Sequence, residues 1–223
     1  MNIKEEVSRF DKRDVWFRDE ESGRKYRRIV GGFAWPAVKP GFVVVVAEDL
    51  EKDTNLDIRH LRVLGETEDF SVQELLRKSV EFRERYKAKI FYGDTDNKPM
   101  MEVVRQANEV FRKKDISTLY PTRASFVDDP RGFQFYFHTI KAHLQADKKT
   151  LHFGEVSKMP GYLMELTPED FSSLDAQDFP AIAALGYAVA YFDIYQPLPP
   201  LTTPPQNIAE SYSVNLDYRK KYI

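Results

Sequence analysis

The stretch Lys89-Ile-Phe-Tyr-Gly-Asp-Thr-Asp96 decides how this chain is read. Its apolar part is too short for a helix, so Lys89 to Gly93 reads as a strand. Segments with helical spacing flank it on both sides. From Phe70 to Tyr86, Ser71 stands as an N-cap with Glu74 three residues on, a capping-box spacing. Val72, Leu75, Leu76, Ser79, Val80 and Phe82 fall on one broad face of that helix. From Pro99 to Lys113 a second helix follows, with Met100, Val103, Val104, Ala107 and Phe111 inward. Helix, strand, helix is the signature of α/β layering. Asp94 and Asp96 close the strand, where open sheets meet ligands or divalent cations.

Upstream, Arg28-Ile-Val-Gly-Gly-Phe-Ala34 reads as a strand whose glycines allow close packing, and Gly41-Phe-Val-Val-Val-Val-Ala47 as a central one. Trp35-Pro36 and Lys39-Pro40-Gly41 mark the turn between them, which predicts an antiparallel hairpin. Trp35 itself reads as a packing or turn residue. Glu48 and Asp49 end the second strand. Ile58 to Leu64 alternates polar and apolar, as a third, half-exposed strand does. Residues 1–28 are highly charged and read as an arm, a linker or a short first helix; Arg24-Lys-Tyr-Arg-Arg28 is locally basic.

Downstream, Gly132 to Ala146 is amphipathic, with Phe133, Phe137, Ile140 and Leu144 at helical spacing. Leu151-His-Phe153 is short and apolar. Tyr162-Leu-Met-Glu-Leu166 follows a Pro-Gly turn and reads as a short strand holding Glu165. Phe179 to Ile194 is an apolar helix that opens near Asp178 and Pro180. Residues 196–223 form a Pro-rich, then polar and tyrosine-rich tail, stiff at first and suited to presenting a short segment to a partner.

Composition narrows the classes. The chain has 223 residues, enough for one sizeable domain. Its net charge of -2 gives no global basic excess toward nucleic acid. The absence of cysteine excludes disulfides, thiolate zinc sites and cysteine nucleophiles. There is no apolar run long enough to span a membrane, and Met1 to Val7 lacks the stretch of a secretory signal. A cytoplasmic protein of a bacterial host is the expectation. Gly31-Gly32 lacks the spacing of a phosphate loop, and without any Walker-type loop the chain does not power DNA translocation itself. The four histidines are scattered along the chain and make no zinc motif.

The order of elements resembles the ribonuclease-H-like fold. More narrowly, it resembles the C-terminal nuclease domain of phage large terminase subunits, over residues 28–195. The helix at 132–146, Leu151-His-Phe153, Leu163-Met-Glu165, Asp175-Ala-Gln-Asp178 and the alanine-rich helix with Tyr187-Ala188 follow the order seen there. The resemblance implies an α/β fold: a mixed sheet with an opening antiparallel hairpin and flanking helices. A charged arm (1–27) and the tail (196–223) would lie outside it. It also implies hydrolysis of DNA phosphodiesters with Mg2+ or Mn2+, and as partners double-stranded DNA, a packaging ATPase or further copies of the chain. Asp94 takes the place of the family's second acid, with Asp96 as its alternative. Asp175 and Asp178 take the place of the third acidic element.

Two family positions depart from the pattern. The first acid falls on Gly32-Phe-Ala-Trp-Pro36, which holds no carboxylate, and the acid inside the last helix falls on Ile182 to Ala184. Asp49, or Glu48, is the candidate substitute. Each acid also has a structural reading: Asp94, Asp96 and Asp49 as turn residues, Asp178 as a helix cap. A pair of divalent ions carries four positive charges and needs dense carboxylate ligation. The alternative is therefore a catalytically inactive ribonuclease-H-like binding or scaffold module of a phage or prophage protein.

Overall fold

The structure is a computed structural model that describes residues 1–7, 15–50, 59–93, 102, 105, 106, 109, 132–145, 150–166 and 178–192. Seven strands form one sheet: β1 (Ile3–Val7), β2 (Val15–Asp19), β3 (Lys25–Ala34), β4 (Gly41–Asp49), β5 (Leu61–Asp69), β6 (Phe91–Gly93) and β7 (Leu151–His152). β1 to β5 lie side by side, each antiparallel to the next. β6 pairs with β3 in parallel, and β7 pairs with β5 in parallel on the far side. The helices are α1 (Val72–Tyr86), α2 (Gly132–Gln145), α3 (Met159–Met164) and α4 (Pro180–Ala190). A three-strand meander followed by a crossover helix and a parallel strand beside the first is a mixed α/β fold consistent with a ribonuclease-H-like one.

The sheet is apolar on both faces, as its sequence demands. Val43 to Ala47 are fully buried because alternate residues feed opposite layers. Val43, Val45 and Ala47 join Phe33, Leu75, Leu76 and Phe82 under α1. Phe42, Val44 and Val46 join Ile140 of α2, Met159 of α3 and most of α4. All eleven residues of α4 are buried, which suits a helix that is hydrophobic all round and covered on every side.

Gly31 and Gly32 set the close approaches. A Cβ on Gly32 would lie 1.8 Å from the carbonyl oxygen of Ala184, so the helix backbone rests directly on the strand backbone. On the other face, Gly31 leaves room for the Phe91 ring across the parallel pair. Trp35 is a packing residue, 9% exposed, with its ring edge-to-face on Phe33 at 4.5 Å.

α1 follows the sequence reading. Ser71 accepts the Glu74 N–H at 3.3 Å, and the buried face holds Val72, Leu75, Leu76, Ser79 and Phe82, with Tyr86 added and Val80 half-buried. Lys87 ends the helix in the left-handed region at φ 62°.

Elsewhere the structure differs from the sequence reading. Residues 3–7 and 15–19, assigned to a charged arm, are strands that extend the sheet from β3. Ile3 and Phe17 are buried on the core side, where Asp19 is buried as well, while Lys4 and Arg18 on the other side are exposed. β5 runs on to Asp69 through Glu66 and Glu68, whose acids mask a strand pattern. Residues 162–166 do not form a strand: α3 starts at Met159 with Pro160 in its first turn, where proline is tolerated, and exposed Glu165 is its C-cap.

Of the expected helix at 99–113, only Glu102, Arg105, Gln106 and Glu109 are described; they are helical and exposed. Its inward residues and the tail at 196–223 lie outside the described residues.

Gly32→Ala should destabilise the protein by about 1–3 kcal/mol, because the opposing atom belongs to a helix backbone that cannot rotate away. Urea unfolding measures this; an unchanged midpoint would contradict the direct backbone contact.

Candidate functional site

The sheet has two chemically different ends. At the first, β3 and β6 finish together: Phe33 is level with Gly93, the residue before Asp94. The start of α4 is at the same end, since the Lys39 ammonium, in the β3–β4 turn, sits 5.0 Å from the Phe179 ring centre. Asp178, one residue earlier, is exposed. It is not the N-cap of α4; Phe179 takes that position without a side-chain cap bond. Asp94, Asp96 and Asp175 lie outside the described residues.

The two stretches where the resemblance expects an acid and the sequence has none are both described, and both are core. Gly32, Phe33 and Ala34 are buried, and Ile182, Ala183 and Ala184 are at most 1% exposed. They meet each other at the contact of Gly32 with Ala184. Among the described residues no group of three or more His, Asp or Glu side chains is arranged to hold a metal ion. These residues do not fit a pair of divalent ions.

Asp49 is at the opposite end of the sheet. It is level with Tyr26 on β3, whereas Gly93 is level with Phe33. Seven residues along a strand separate them by roughly 23 Å. Asp49 is therefore remote from Gly93, the last described residue of β6, and Glu48, its neighbour on β4, is remote too. Both are occupied instead. Asp49 is fully buried and accepts from Arg62 Nε at 2.9 Å and Arg24 Nη1 at 3.3 Å. Glu48 accepts from Arg59 Nε at 3.3 Å, with Arg28 at 3.7 Å. Arg59 also donates to the carbonyl of Phe192, just beyond α4. Acids at the end of a β-branched strand look like ligands in a sequence; here they neutralise arginines arriving from β3 and the residue before it, and from β5 and the segment before it.

Between these groups the Tyr26 hydroxyl is buried without a hydrogen-bond partner. Burial, and secondarily the Asp49 carboxylate, push its ionisation up to about 12. At the start of the parallel β5–β7 pair, His60, the residue before β5, has its Nδ1 3.0 Å from His152 Nε2. No spacing rule joins these two histidines, which are 92 positions apart, and only the register of two-residue β7 brings them together.

A second pair of acids that sequence reading passed over lies at the first end. Glu66 and Glu68 are two apart on β5, on the side of α3. Ser157 donates to Glu66 at 2.8 Å, as does the Lys158 main chain; Tyr162 donates to Glu68 at 2.5 Å, and Lys158 Nζ lies 3.0 Å from it. The Tyr162 hydrogen bond, followed by Lys158, holds the Glu68 carboxyl below its usual range. Burial and then Glu68 push the Tyr162 phenol upward. Both acids fasten α3 and the turn before it to β5.

No protein-family model and no curated protein sequence matches the chain. Among solved structures it is similar to the nuclease domain of the large terminase from bacteriophage SPP1 with bound Mn, at 12% identity over 74% of this chain and 86% of that one, TM-score 0.44. It is also similar to the fowlpox virus Holliday junction resolvase, at 10% identity over 74% and 97%, TM-score 0.39. The same resolvase in complex with Holliday junction DNA gives 8% identity over 73% and 97%, TM-score 0.42. None of these likenesses carries a residue or an activity to this chain.

Two substitutions at the buried end should act with opposite signs. Asp49→Ala leaves Arg62 and Arg24 without their shared anion and should cost roughly 3 kcal/mol. Tyr26→Phe removes an unpaired buried hydroxyl and should leave stability unchanged or raise it by about 1 kcal/mol. Chemical denaturation of both variants checks the pair.

Glu68 predicts an acid limb. A carboxyl depressed in the folded state adds stability above its unfolded pKa, about 4.3, and loses it as pH falls through the lower folded value. Tyr162→Phe should lower the thermal midpoint at neutral pH, with the deficit shrinking as Glu68 protonates. A deficit constant down to the acid transition would refute the coupling.

Proposed function

We propose that the chain is a ribonuclease-H-like binding or scaffold module of a phage or prophage protein, one that engages DNA or a packaging partner without cutting. One observation carries this reading: the Gly32–Ala184 contact occupies the space between the two positions where such nucleases keep acids. A carboxylate at position 32 would require the helix to lift off the sheet. Metal-assisted phosphodiester hydrolysis depends on ions that activate water and steady the leaving oxygen, and these depend on clustered carboxylates.

The second reading is a nuclease using Mg2+ or Mn2+ held by Asp94, Asp96, Asp175 and Asp178. In its favour, Gly93 and Asp178 are at one end of the sheet. Set against it, Asp49 is at the other end, so the acid count is one lower than that reading assumed.

The test is incubation of the full chain with supercoiled plasmid and Mn2+, alongside calorimetric titration of Mn2+. The binding-module reading expects no nicking above buffer and no stoichiometric uptake. Nicking by the wild type that Asp94→Ala abolishes would overturn it and establish the nuclease.

A further inference from the structure

The outer face of β1, β2 and β3 carries a charge pattern that the fold does not require. Lys4 is directly opposite Arg18, and Arg18 is directly opposite Lys25. Residues opposite one another in antiparallel strands point to the same side, so three cations form one row across three neighbouring strands, about 10 Å from end to end. The other side of the same strands, with Ile3, Phe17 and Tyr26, is buried core. Like charges placed directly opposite one another destabilise a sheet.

Partial compensation exists. Lys4 pairs with Glu20, and Arg18 lies 4.0 Å from Glu6. Lys25 and Arg27 are exposed, and no described side chain pairs with either. A lysine on an edge strand is explained by protection against strand addition. That account covers Lys4 but not Arg18 or Lys25, which stand on the second and third strands.

An aromatic ring completes the surface. Trp16 is two residues from Arg18 and opposite Glu6, hence on the same side as the row. Its ring is half-buried and oriented by a 2.6 Å hydrogen bond from Nε1 to Glu6. A fixed indole beside a line of cations matches an extended polyanion with exposed flat bases: phosphates meet the cations, and a base stacks on the ring. An acidic peptide would use the charges but leave the indole without a role, and a duplex hides its base faces.

We propose that this face binds single-stranded nucleic acid. The row lies at the Asp49 end of the sheet, away from the end where β3 and β6 finish, so the proposal stands whether or not the chain cuts DNA.

The experiment is fluorescence anisotropy of a labelled oligothymidylate with the full chain. Arg18→Gln/Lys25→Gln should weaken binding about tenfold and reduce the dependence of log affinity on log salt by about 1.4, two contacts at about 0.7 each. Its thermal midpoint should not fall, since the variant relieves a like-charge pair. Oligothymidylate should quench intrinsic fluorescence, and Trp16→Phe should abolish the quench, because Trp35 is buried. Unaltered affinity of the double variant, tighter binding of duplex than of single strand, or binding of polyglutamate in place of oligothymidylate would each overturn the proposal.

Discussion

The contact of the α4 backbone with the β3 backbone at Gly32 governs the rest of the architecture. Helices normally stand about one side-chain layer away from a sheet. Here the layer is missing, and the Ala184 carbonyl occupies the volume of the absent Cβ. Alanine is therefore favoured along α4, because larger side chains would lift it. Its remaining surface is covered by α2 and α3, so the helix becomes the axis of the larger hydrophobic cluster. The same closeness leaves no space for carboxylates in the centre of that face. Packing and chemistry compete for one volume, and in this chain packing occupies it.

The layered fold was legible because its strongest signals are local. The Phe42–Ala47 run, the Ser71 cap and the apolar faces of α1 and α4 each depend on residues within a turn or two of one another. What the sequence hid depends on register or on residues far apart. β1 and β2 are short and highly charged, and only pairing with β3 makes them strands. Pro160-Gly161 has the same composition whether it precedes a strand or starts α3. Glu66 and Glu68 look like a break in β5 until the α3 partners appear opposite them.

The candidate site was legible only in part, for a related reason. Acids that end strands share one appearance in a sequence, yet a sheet has two ends, and antiparallel neighbours finish at opposite ones. Asp49 closes β4 and Gly93 closes β6, so the reversal of direction between β3 and β4 separates them. The arginines that claim Asp49 and Glu48 come from several elements, and no spacing rule joins them. Buried ion pairs of this kind contribute less to net stability than their number suggests, but losing one member is costly. They tie β3, β4, β5 and the turn after α4 into a single electrostatic unit.

One side of β3 has two neighbours in succession: β2 pairs with its first residues and β6 with its last. The first partner is a few positions away along the chain; the second arrives only after β4, β5 and α1 have been laid down. Ring-closure entropy separates these events in time. The hairpin with β2 and the meander with β4 and β5 are open to rapid formation, while the docking of three-residue β6 waits for a much longer loop to close. The longer loop closure on this side of β3 thus belongs to the strand that ends at Gly93.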